Sequence, residues 1–217
     1  MKLFKKMIIY PDYKPKLSII LPAFNRAEHI TAAIDSVITQ NYSDWELVIC
    51  DDGSTDVTFS RIKKFVLEFS NIRYLFHKNR RLPLTLNTGI LASAGNYITF
   101  LGSDDKYLAN HLKFRMDIFD AEPELDLIYG GIEISGNPFV KDKNDLTKQI
   151  HLNNCVVGGT FFIKKEAALK IEGFRNISYS EDSDFFERIT SFARIRKVNF
   201  PTYFYNRNVS DSITNNI

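Results

Sequence analysis

The stretch LSIILPAFNR, residues 17–26, decides the fold class of this chain. It opens with a short apolar run from Leu17 to Leu21 and turns at Pro22. Such a run is typical of a strand that is buried on both faces of a parallel sheet. A helix is predicted next, because five apolar residues then share one helical face: Ile30, Ala33, Ile34, Val37 and Ile38. We expect Asn25 to cap this helix and Glu28 to complete a capping box.

The same alternation of strand and helix patterns continues outward from this stretch to about residue 122. Strands are predicted at residues 45–50, 72–76 and 97–101, and helices at residues 55–69, 84–94 and 107–121. Pro83 suits the first turn of the helix at 84–94. Alternating strands and helices predict an α/β fold with a doubly wound, mostly parallel sheet and helices on both faces.

The pattern changes after Leu125. We predict strands at 126–134 and 156–163, a polar irregular stretch at 136–150, helices at 165–171 and 181–193, and extended segments at 194–199 and 202–205. No internal repeat or long Pro/Gly/Ser linker separates the two halves. We therefore expect a single domain, residues 1–217, whose second half is a small C-terminal elaboration packed on the same sheet.

Composition restricts the classes of partner. The 217 residues are 44% apolar, and the formal net charge of +2 gives no electrostatic case for nucleic acid. Cys50 and Cys155 lack metal-ligand spacing and are expected to be free thiols in a reducing compartment. No apolar run is long enough to span a bilayer, so we expect a cytoplasmic protein. Residues 1–10 are either an unanchored or strand-adding arm, or a basic segment that makes peripheral contact with the inner face of the membrane.

Three acidic clusters occur where a strand ends or a helix begins: residues 51–56, 103–105 and 181–184. Ligands of open α/β sheets bind beyond the carboxyl ends of the parallel strands, so the first two clusters should face one crevice. Carboxylates that converge there need a cation or a hydrogen-bonding ligand. The alternatives are an ordinary turn for the first cluster and a favourable helix dipole interaction for the third.

Adjacent carboxylates such as Asp104 and Asp105 suit a hard divalent cation, Mg²⁺ or Mn²⁺, which completes its shell with water and a substrate diphosphate. Glu181 and Asp182 can supply a general base that faces the same crevice. The four histidines are scattered, and we expect them on the surface or in the core.

These residues resemble the motifs of family 2 glycosyltransferases, which have the Rossmann-like GT-A fold. Four blocks occur in the family's order: residues 17–26, residues 36–56 with the stretch ELVICDDGSTD, residues 87–105 with the stretch GNYITFLGSDD, and Glu181-Asp182. The resemblance covers nearly the whole chain. It implies the transfer of a sugar, with inversion, from a nucleotide diphosphate sugar to an acceptor hydroxyl.

The resemblance also implies a role for each site residue. The implied donor-binding residues are Pro22, Phe24, Asn25, Arg26, Asp51, Asp52, Arg81 and Asp104. Asp105 would bind the metal, and Asp104 would contact either the ribose or the metal. Asp182 would deprotonate the acceptor hydroxyl, with Glu181 as the alternative base. Gly158-Gly159 would either shape the acceptor pocket or permit a bulge.

Two positions depart from the family pattern. Many relatives carry an aspartate where this chain has Gly102, which shortens the acidic motif and leaves the metal site more dependent on Asp104 and Asp105. Relatives often carry an arginine where this chain has Leu86, directly before Asn87. A phosphate contact is then expected from Arg80 or Arg81.

The resemblance implies a donor-binding half at about residues 16–122 and an acceptor-binding half at about 123–217. A UDP-sugar is the favoured donor, and a glycan or a lipid-linked sugar is the acceptor, in surface polysaccharide or other glycan biosynthesis. A sugar-phosphate nucleotidyltransferase is an alternative, although the loop after the first strand has no glycine. A noncatalytic subunit that keeps the fold is the other alternative. An NAD-dependent oxidoreductase is excluded, since no G-x-G-x-x-G follows any strand.

Overall fold

The computed structural model describes residues 14–209. Its strands are β1 (Leu17–Ala23), β2 (Trp45–Asp51), β3 (Ile72–Phe76), β4 (Tyr97–Phe100), β5 (Lys106–Tyr107), β6 (Leu127–Tyr129), β7 (Ile132–Ser135), β8 (Phe139–Asp142), β9 (Asp145–His151), β10 (Phe162–Lys164), β11 (Ile195–Lys197) and β12 (Tyr203–Asn206). Its α-helices are α1 (Ile30–Ile38), α2 (Thr58–Glu68), α3 (Leu82–Ala92), α4 (His111–Ala121), α5 (Lys165–Lys170) and α6 (Glu181–Ile189).

A seven-stranded sheet in the order β11-β6-β10-β4-β1-β2-β3 forms the centre of the structure. Of these strands, β10 runs antiparallel to both neighbours and the remaining pairs are parallel, so the predicted mostly parallel sheet is confirmed. β1 and β2 pair in register from Leu17 opposite Trp45 to Ala23 opposite Asp51. The loops that follow these two strands therefore begin side by side at one edge of the sheet.

Apolar side chains on the two faces of this sheet form two core layers. Leu17, Ile19 and Leu21 pack in one layer with residues of α1, α2 and α4. Ile20 and Val48 pack in the other layer with residues of α3, α5 and α6. Because both faces of β1 and β2 are covered, these strands carry apolar residues at consecutive positions. The predicted helices on both faces are confirmed.

The second half of the chain departs from the sequence prediction at its glycines. The strand predicted at 126–134 is broken at Gly130 and Gly131, whose φ angles are 97° and 79°. The break separates β6, in the large sheet, from β7, which lies in a small sheet of order β5-β12-β7. The strand predicted at 156–163 begins only at Phe162, after a 3-10 turn over Gly158–Thr160.

The stretch at 136–150, predicted to be irregular, contains the hairpin of β8 and β9. Most residues of β9 are exposed, so the hairpin lacks the apolar alternation that signals a strand.

The starts of α1 and α4 differ from the prediction for reasons that the contacts show. The helix predicted from residue 107 begins at His111, because Tyr107 pairs with Tyr203 as part of β5. Helix α1 begins at Ile30 without a side-chain cap, so the predicted capping box is wrong. The Asn25 side chain instead contacts the loop after β2.

Within residues 14–209, no helix is both long enough and apolar enough to cross a membrane. The segment 1–10, for which we predict membrane contact as one alternative, lies outside the described residues.

Candidate active site

A cavity of about 1120 Å³ opens beyond the carboxyl ends of β1, β2 and β4. The predicted site residues that line it are Pro22, Phe24, Asn25, Arg26, Asp52, Arg81, Asp104, Asp105, Glu181 and Asp182. The hairpin β8–β9 and the segments around residues 156 and 179 supply other walls. The structure therefore brings the three acidic clusters together in one crevice, although the third cluster is about 75 residues further along the chain.

Asn25 and Asp51 fix the loops that border the cavity. Asn25 has a φ of 53°, in the left-handed region, and its Oδ1 accepts a hydrogen bond from the Thr55 amide at 2.9 Å. Asp51 accepts hydrogen bonds from the Ser54 amide and the Tyr74 hydroxyl, both at 2.7 Å. Asp51 is fully buried and is not among the residues that line the cavity. Its contacts support the loop rather than face a ligand.

Asp52 lies beside Asp51 but faces the cavity. Its Oδ1 accepts a hydrogen bond from the Arg80 amide at 2.8 Å and lies 3.3 Å from Nδ1 of His77. Within residues 14–209 no hydrogen bond reaches its Oδ2. His77 was not predicted as a site residue, since an isolated histidine belongs to no motif.

Arg81 stands at the N-terminus of α3 with a φ of 73°, an unusual backbone conformation for a residue other than glycine. Strained residues of this kind concentrate at ligand sites, and Arg81, like Arg26, lines the cavity. Arg80 contributes its amide to Asp52, and its side chain is exposed. Leu86, where relatives often carry arginine, is a buried apolar residue of the cavity wall.

The Asp105 carboxylate is held from both sides by β12. The Tyr203 hydroxyl donates a hydrogen bond to Oδ2 at 2.6 Å, and the Asn206 amide donates to Oδ1 at 2.8 Å. Burial, together with the charge of Asp104, raises the pKa of Asp105 to about 7. Tyr203 and Asn206 were missed in the sequence, because a strand 98 residues away carries no local sign of this contact.

Asp104 and Asp105 fit a hard divalent cation. Neither carboxylate forms an ion pair with a lysine, arginine or histidine in the part of the chain that the structure describes, and Asp104 opens onto the cavity. A cation would offset both effects that raise the pKa of Asp105, burial first and then the charge of Asp104. The same part of the chain holds no cluster of three or more His, Cys, Asp or Glu side chains suited to a metal. Two adjacent carboxylates suit an ion such as Mg²⁺, which takes its remaining ligands from phosphate and water.

Gly102 has a structural reason in this chain. A Cβ atom at this position would lie 2.5 Å from Oδ2 of Asp105 and 3.2 Å from Oδ1 of Asp104. Because Tyr203 and Asn206 hold the Asp105 carboxylate, it cannot move freely to make room. A side chain at residue 102, such as that of aspartate, would therefore clash with the Asp105 carboxylate in its present position.

Glu181 and Asp182 open helix α6 and face the cavity. Asp182 accepts hydrogen bonds from the Gly158 amide at 3.1 Å, through Oδ2, and from the Ser183 amide at 2.8 Å, through Oδ1. Burial raises the pKa of Asp182, an effect that these amides oppose. Burial and the charge of Asp182 raise the pKa of Glu181 to about 7. The Glu181 carboxyl, with a pKa of about 7, therefore gains or loses its proton close to neutral pH.

Comparison with known sequences identifies relatives of this chain. The sequence profile described as Glycosyl transferase family 2 matches residues 18–197. The chain is 36% identical over 149 residues to the UDP-Glc:alpha-D-GlcNAc-diphosphoundecaprenol beta-1,3-glucosyltransferase WfgD of Escherichia coli, an alignment that covers 65% of this chain and 57% of WfgD. It is 27% identical over 205 residues to the chondroitin synthase of Escherichia coli, covering 90% of this chain and 30% of that protein.

Solved structures of two other proteins share the fold of this chain. The structure superposes on residues 1–349 of TarS from S. aureus in complex with UDP-GlcNAc with a TM-score of 0.76 at 20% identity, covering 91% of this chain and 60% of that one. It superposes on the mannosyltransferase PcManGT from Pyrobaculum calidifontis, in complex with GDP-Man and Mn²⁺, with a TM-score of 0.69 at 20% identity, covering 89% and 57%. The shared architecture is the predicted GT-A fold.

The chain spans 57% and 62% of the length of two of the relatives that it matches. The profile match nevertheless covers most of the 217 residues, including the loops after β1, β2 and β4 and the start of α6. The chain therefore belongs to glycosyltransferase family 2.

Proposed function

We propose that this chain transfers a sugar from a nucleotide diphosphate sugar to an acceptor hydroxyl, with inversion at the anomeric carbon. The observation that carries the proposal is the convergence of three acidic clusters on one cavity beyond the carboxyl ends of β1, β2 and β4. Each cluster supplies at least one carboxylate to the lining of this cavity: Asp52, Asp104 with Asp105, and Asp182 with Glu181. Three separate carboxylate groups suit a reaction in which the enzyme must bind a nucleoside base, a diphosphate and an acceptor hydroxyl.

The donor would bind at the loops after β1 and β2. Asp52 has an acceptor oxygen, Oδ2, that can bind the nucleoside base, while the Arg80 amide and His77 fix the other oxygen. Pro22 and Phe24 offer apolar surface beside it. A UDP-sugar is favoured, because WfgD is named for UDP-Glc and the TarS structure contains UDP-GlcNAc.

The diphosphate would lie near Asp104 and Asp105. A divalent cation, Mn²⁺ or Mg²⁺, held by these two carboxylates would neutralise the charge that develops on the departing nucleoside diphosphate. Arg81 and Arg26 line the same cavity, and their guanidinium groups would contact phosphate oxygens.

Asp182 would act as the general base. The acceptor hydroxyl gives its proton to a carboxylate oxygen of Asp182 while its own oxygen bonds to the anomeric carbon. The bond from that carbon to the phosphate oxygen breaks, and the nucleoside diphosphate leaves with the electron pair. Attack on the face opposite the leaving group inverts the configuration. The raised pKa of Asp182 improves its strength as a base at neutral pH.

The acceptor would enter from the side of the hairpin β8–β9. Val140, Ile150 and Tyr179 line this part of the cavity, and the Tyr179 hydroxyl ties the segment before α6 to the carbonyl of Lys141. A glycan or lipid-linked sugar is the proposed acceptor, since WfgD is named for a diphosphoundecaprenol-linked sugar. We propose that the reaction belongs to surface polysaccharide or other glycan biosynthesis, either in the cytoplasm or at the inner face of the membrane.

A donor panel tests the proposal. The chain would be incubated with UDP-, GDP- and dTDP-sugars and short sugar acceptors, with Mn²⁺ or with EDTA, and released nucleoside diphosphate would be measured. We expect release from a UDP-sugar that depends on Mn²⁺, and NMR of the product should show the inverted anomer. Pyrophosphate released from a nucleoside triphosphate and a sugar phosphate would indicate a nucleotidyltransferase instead. No release from any donor would favour a noncatalytic subunit.

A further inference from the structure

The turn at Gly158-Gly159 contacts Asp182 through its first glycine and Tyr203, the hydrogen-bond partner of Asp105, through its second. Its first glycine donates its backbone N–H to Oδ2 of Asp182 at 3.1 Å. A Cβ atom at Gly158 would lie 3.1 Å from the Cβ of Asp182, closer than side chains normally approach. The carboxylate of the proposed base therefore lies directly against the backbone of this turn.

The second glycine of the turn makes room for Tyr203. A Cβ atom at Gly159 would overlap the Tyr203 ring, since it would lie 2.7 Å from Cε2. Tyr203 is 1% exposed, so its ring has little space into which to move. Its hydroxyl reaches Oδ2 of Asp105 only because residue 159 has no side chain.

The Tyr203 hydroxyl is itself held in one orientation. It accepts a hydrogen bond from the Gly102 amide at 3.1 Å and donates to Asp105 at 2.6 Å. The ring edge packs against Tyr107, with 5.9 Å between the ring centroids. With its one proton directed at Asp105, Tyr203 fixes the orientation of that carboxylate.

We propose that Gly158-Gly159 and Tyr203 are positioning residues that align the two acidic pairs, Gly158 acting on Asp182 and Gly159 acting on Asp105 through Tyr203. The inference rests on the proposed function, because it assigns Asp105 to the metal and Asp182 to the base. One two-residue turn then sets the separation between the metal-binding end and the proton-accepting end of the cavity.

Two matched alanine variants separate the two actions. In Gly159→Ala the new methyl displaces Tyr203, and Mn²⁺ affinity in the presence of saturating UDP should fall about 10- to 100-fold, as when a partner that orients a metal ligand is lost. In Gly158→Ala the methyl presses on Asp182 instead, so kcat should fall while Mn²⁺ affinity stays at the wild-type value. Bound Mn²⁺ would be measured by the loss of the EPR signal of the free ion.

Tyr203→Phe tests the same inference without crowding the turn. It keeps the ring and removes the hydroxyl, so Mn²⁺ affinity should again fall about 10- to 100-fold while the protein stays folded in a thermal melt. The double variant Gly159→Ala/Tyr203→Phe should have the same Mn²⁺ affinity as whichever single variant binds Mn²⁺ more weakly, because both substitutions remove the same contact with Asp105. Tyr107→Phe is the control, because its hydroxyl donates to the Phe100 carbonyl at 2.9 Å rather than to Asp105. Its Mn²⁺ affinity should equal that of the wild type.

Each result has a distinct meaning. Wild-type Mn²⁺ affinity in Tyr203→Phe, or an equal loss in Tyr107→Phe, would overturn the positioning role and leave the proposed function standing. If the wild type binds no Mn²⁺, or Asp105→Asn binds it as well as the wild type, the metal site of the proposed function is wrong and the inference falls with it.

Discussion

Oε2 of the buried Glu46 accepts a hydrogen bond from Nη1 of Arg73 at 2.8 Å, and the pair joins β2 to β3 beneath the end of α3. Ser18 donates to the other oxygen of Glu46 at 2.6 Å, and Arg73 also donates to the Ala92 carbonyl. Neither residue of the pair lines the cavity, so we expect substitutions here to change the stability of the fold and not the transfer reaction.

Glu46→Gln should lower the free energy of unfolding by about 3 kcal/mol at pH 7, because it leaves the Arg73 charge without its partner. Urea unfolding followed by circular dichroism would measure the loss. Asp117→Asn is the control, since it breaks the exposed pair with Lys113 and should cost about 0.5 kcal/mol or less. Equal losses in the two variants would contradict the assigned importance of burial.

The contribution of Glu46 should also depend on pH. Burial alone would raise its pKa, but the hydrogen bonds from Ser18, Ala94 and Arg73 and the Arg73 charge lower it below the ordinary value of 4.5. The stabilisation is therefore fully present above pH 4.5 and is lost as the pH falls through the folded-state pKa. The difference in stability between wild type and Glu46→Gln should shrink below pH 4.5, and a difference that grew there would contradict this sign.

Asp182→Asn should reduce kcat by about 10²- to 10⁴-fold while the affinity for UDP stays unchanged, since a proton acceptor is lost and the donor contacts remain. Isothermal titration with UDP would check the second half of this expectation. The isosteric variant Asp184→Asn, two residues along α6, should keep activity because its carboxylate pairs with Arg188 at 2.8 Å. Full turnover in Asp182→Asn would transfer the role of base to Glu181.

Glu181 should affect stability with the opposite pH sign. Burial first, and then the charge of Asp182, raises its pKa from 4.5 to about 7. The neutral carboxyl favours the folded state below pH 4.5, and this advantage is lost as the pH rises through 7. Glu181→Gln, which stays neutral, should therefore melt at a higher temperature than the wild type at pH 8 and at about the same temperature at pH 4, as scanning calorimetry would show. A gain confined to pH 4 would contradict the assignment.

Neighbouring aspartates should respond differently to the same substitution. Asp51→Asn should lower the free energy of unfolding by about 1–3 kcal/mol, because an amide cannot accept from both Ser54 and Tyr74. Asp52→Asn should instead weaken UDP binding by about tenfold or more through loss of a charged acceptor. Titration calorimetry and urea unfolding on both variants would separate the effects. A loss of UDP affinity in Asp51→Asn with unchanged stability would place Asp51 in the donor pocket after all.

Sequence patterns anticipated the parts of this molecule that depend on burial. Consecutive apolar residues in β1 and β2, and helical spacing in α1, follow from covering both faces of one sheet, so they were visible locally. The convergence of the first two acidic clusters could also be predicted, because the carboxyl ends of parallel strands meet at one edge of the sheet.

The rest depends on contacts between distant residues. Asparagine is a residue type that often caps helices, but the side chain of Asn25 accepts a hydrogen bond from the amide of Thr55 instead. The prediction of a single strand at 126–134 was wrong because Gly130 and Gly131 adopt positive φ angles, which the apolar pattern of the sequence does not indicate. Tyr203 is an ordinary aromatic residue of a short strand until the fold places Asp105 within 2.6 Å of it.

Strand β12 lies beyond residue 197, where the match to the family profile ends. A fragment trimmed to the matched residues would keep every acidic motif, yet it would lack the hydroxyl of Tyr203 and the amide of Asn206 that hold Asp105. It would also remove the central strand of the small sheet, leaving β5 and β7 unjoined. Expression boundaries for this family member should therefore be chosen from the location of β12 and not from the extent of sequence similarity.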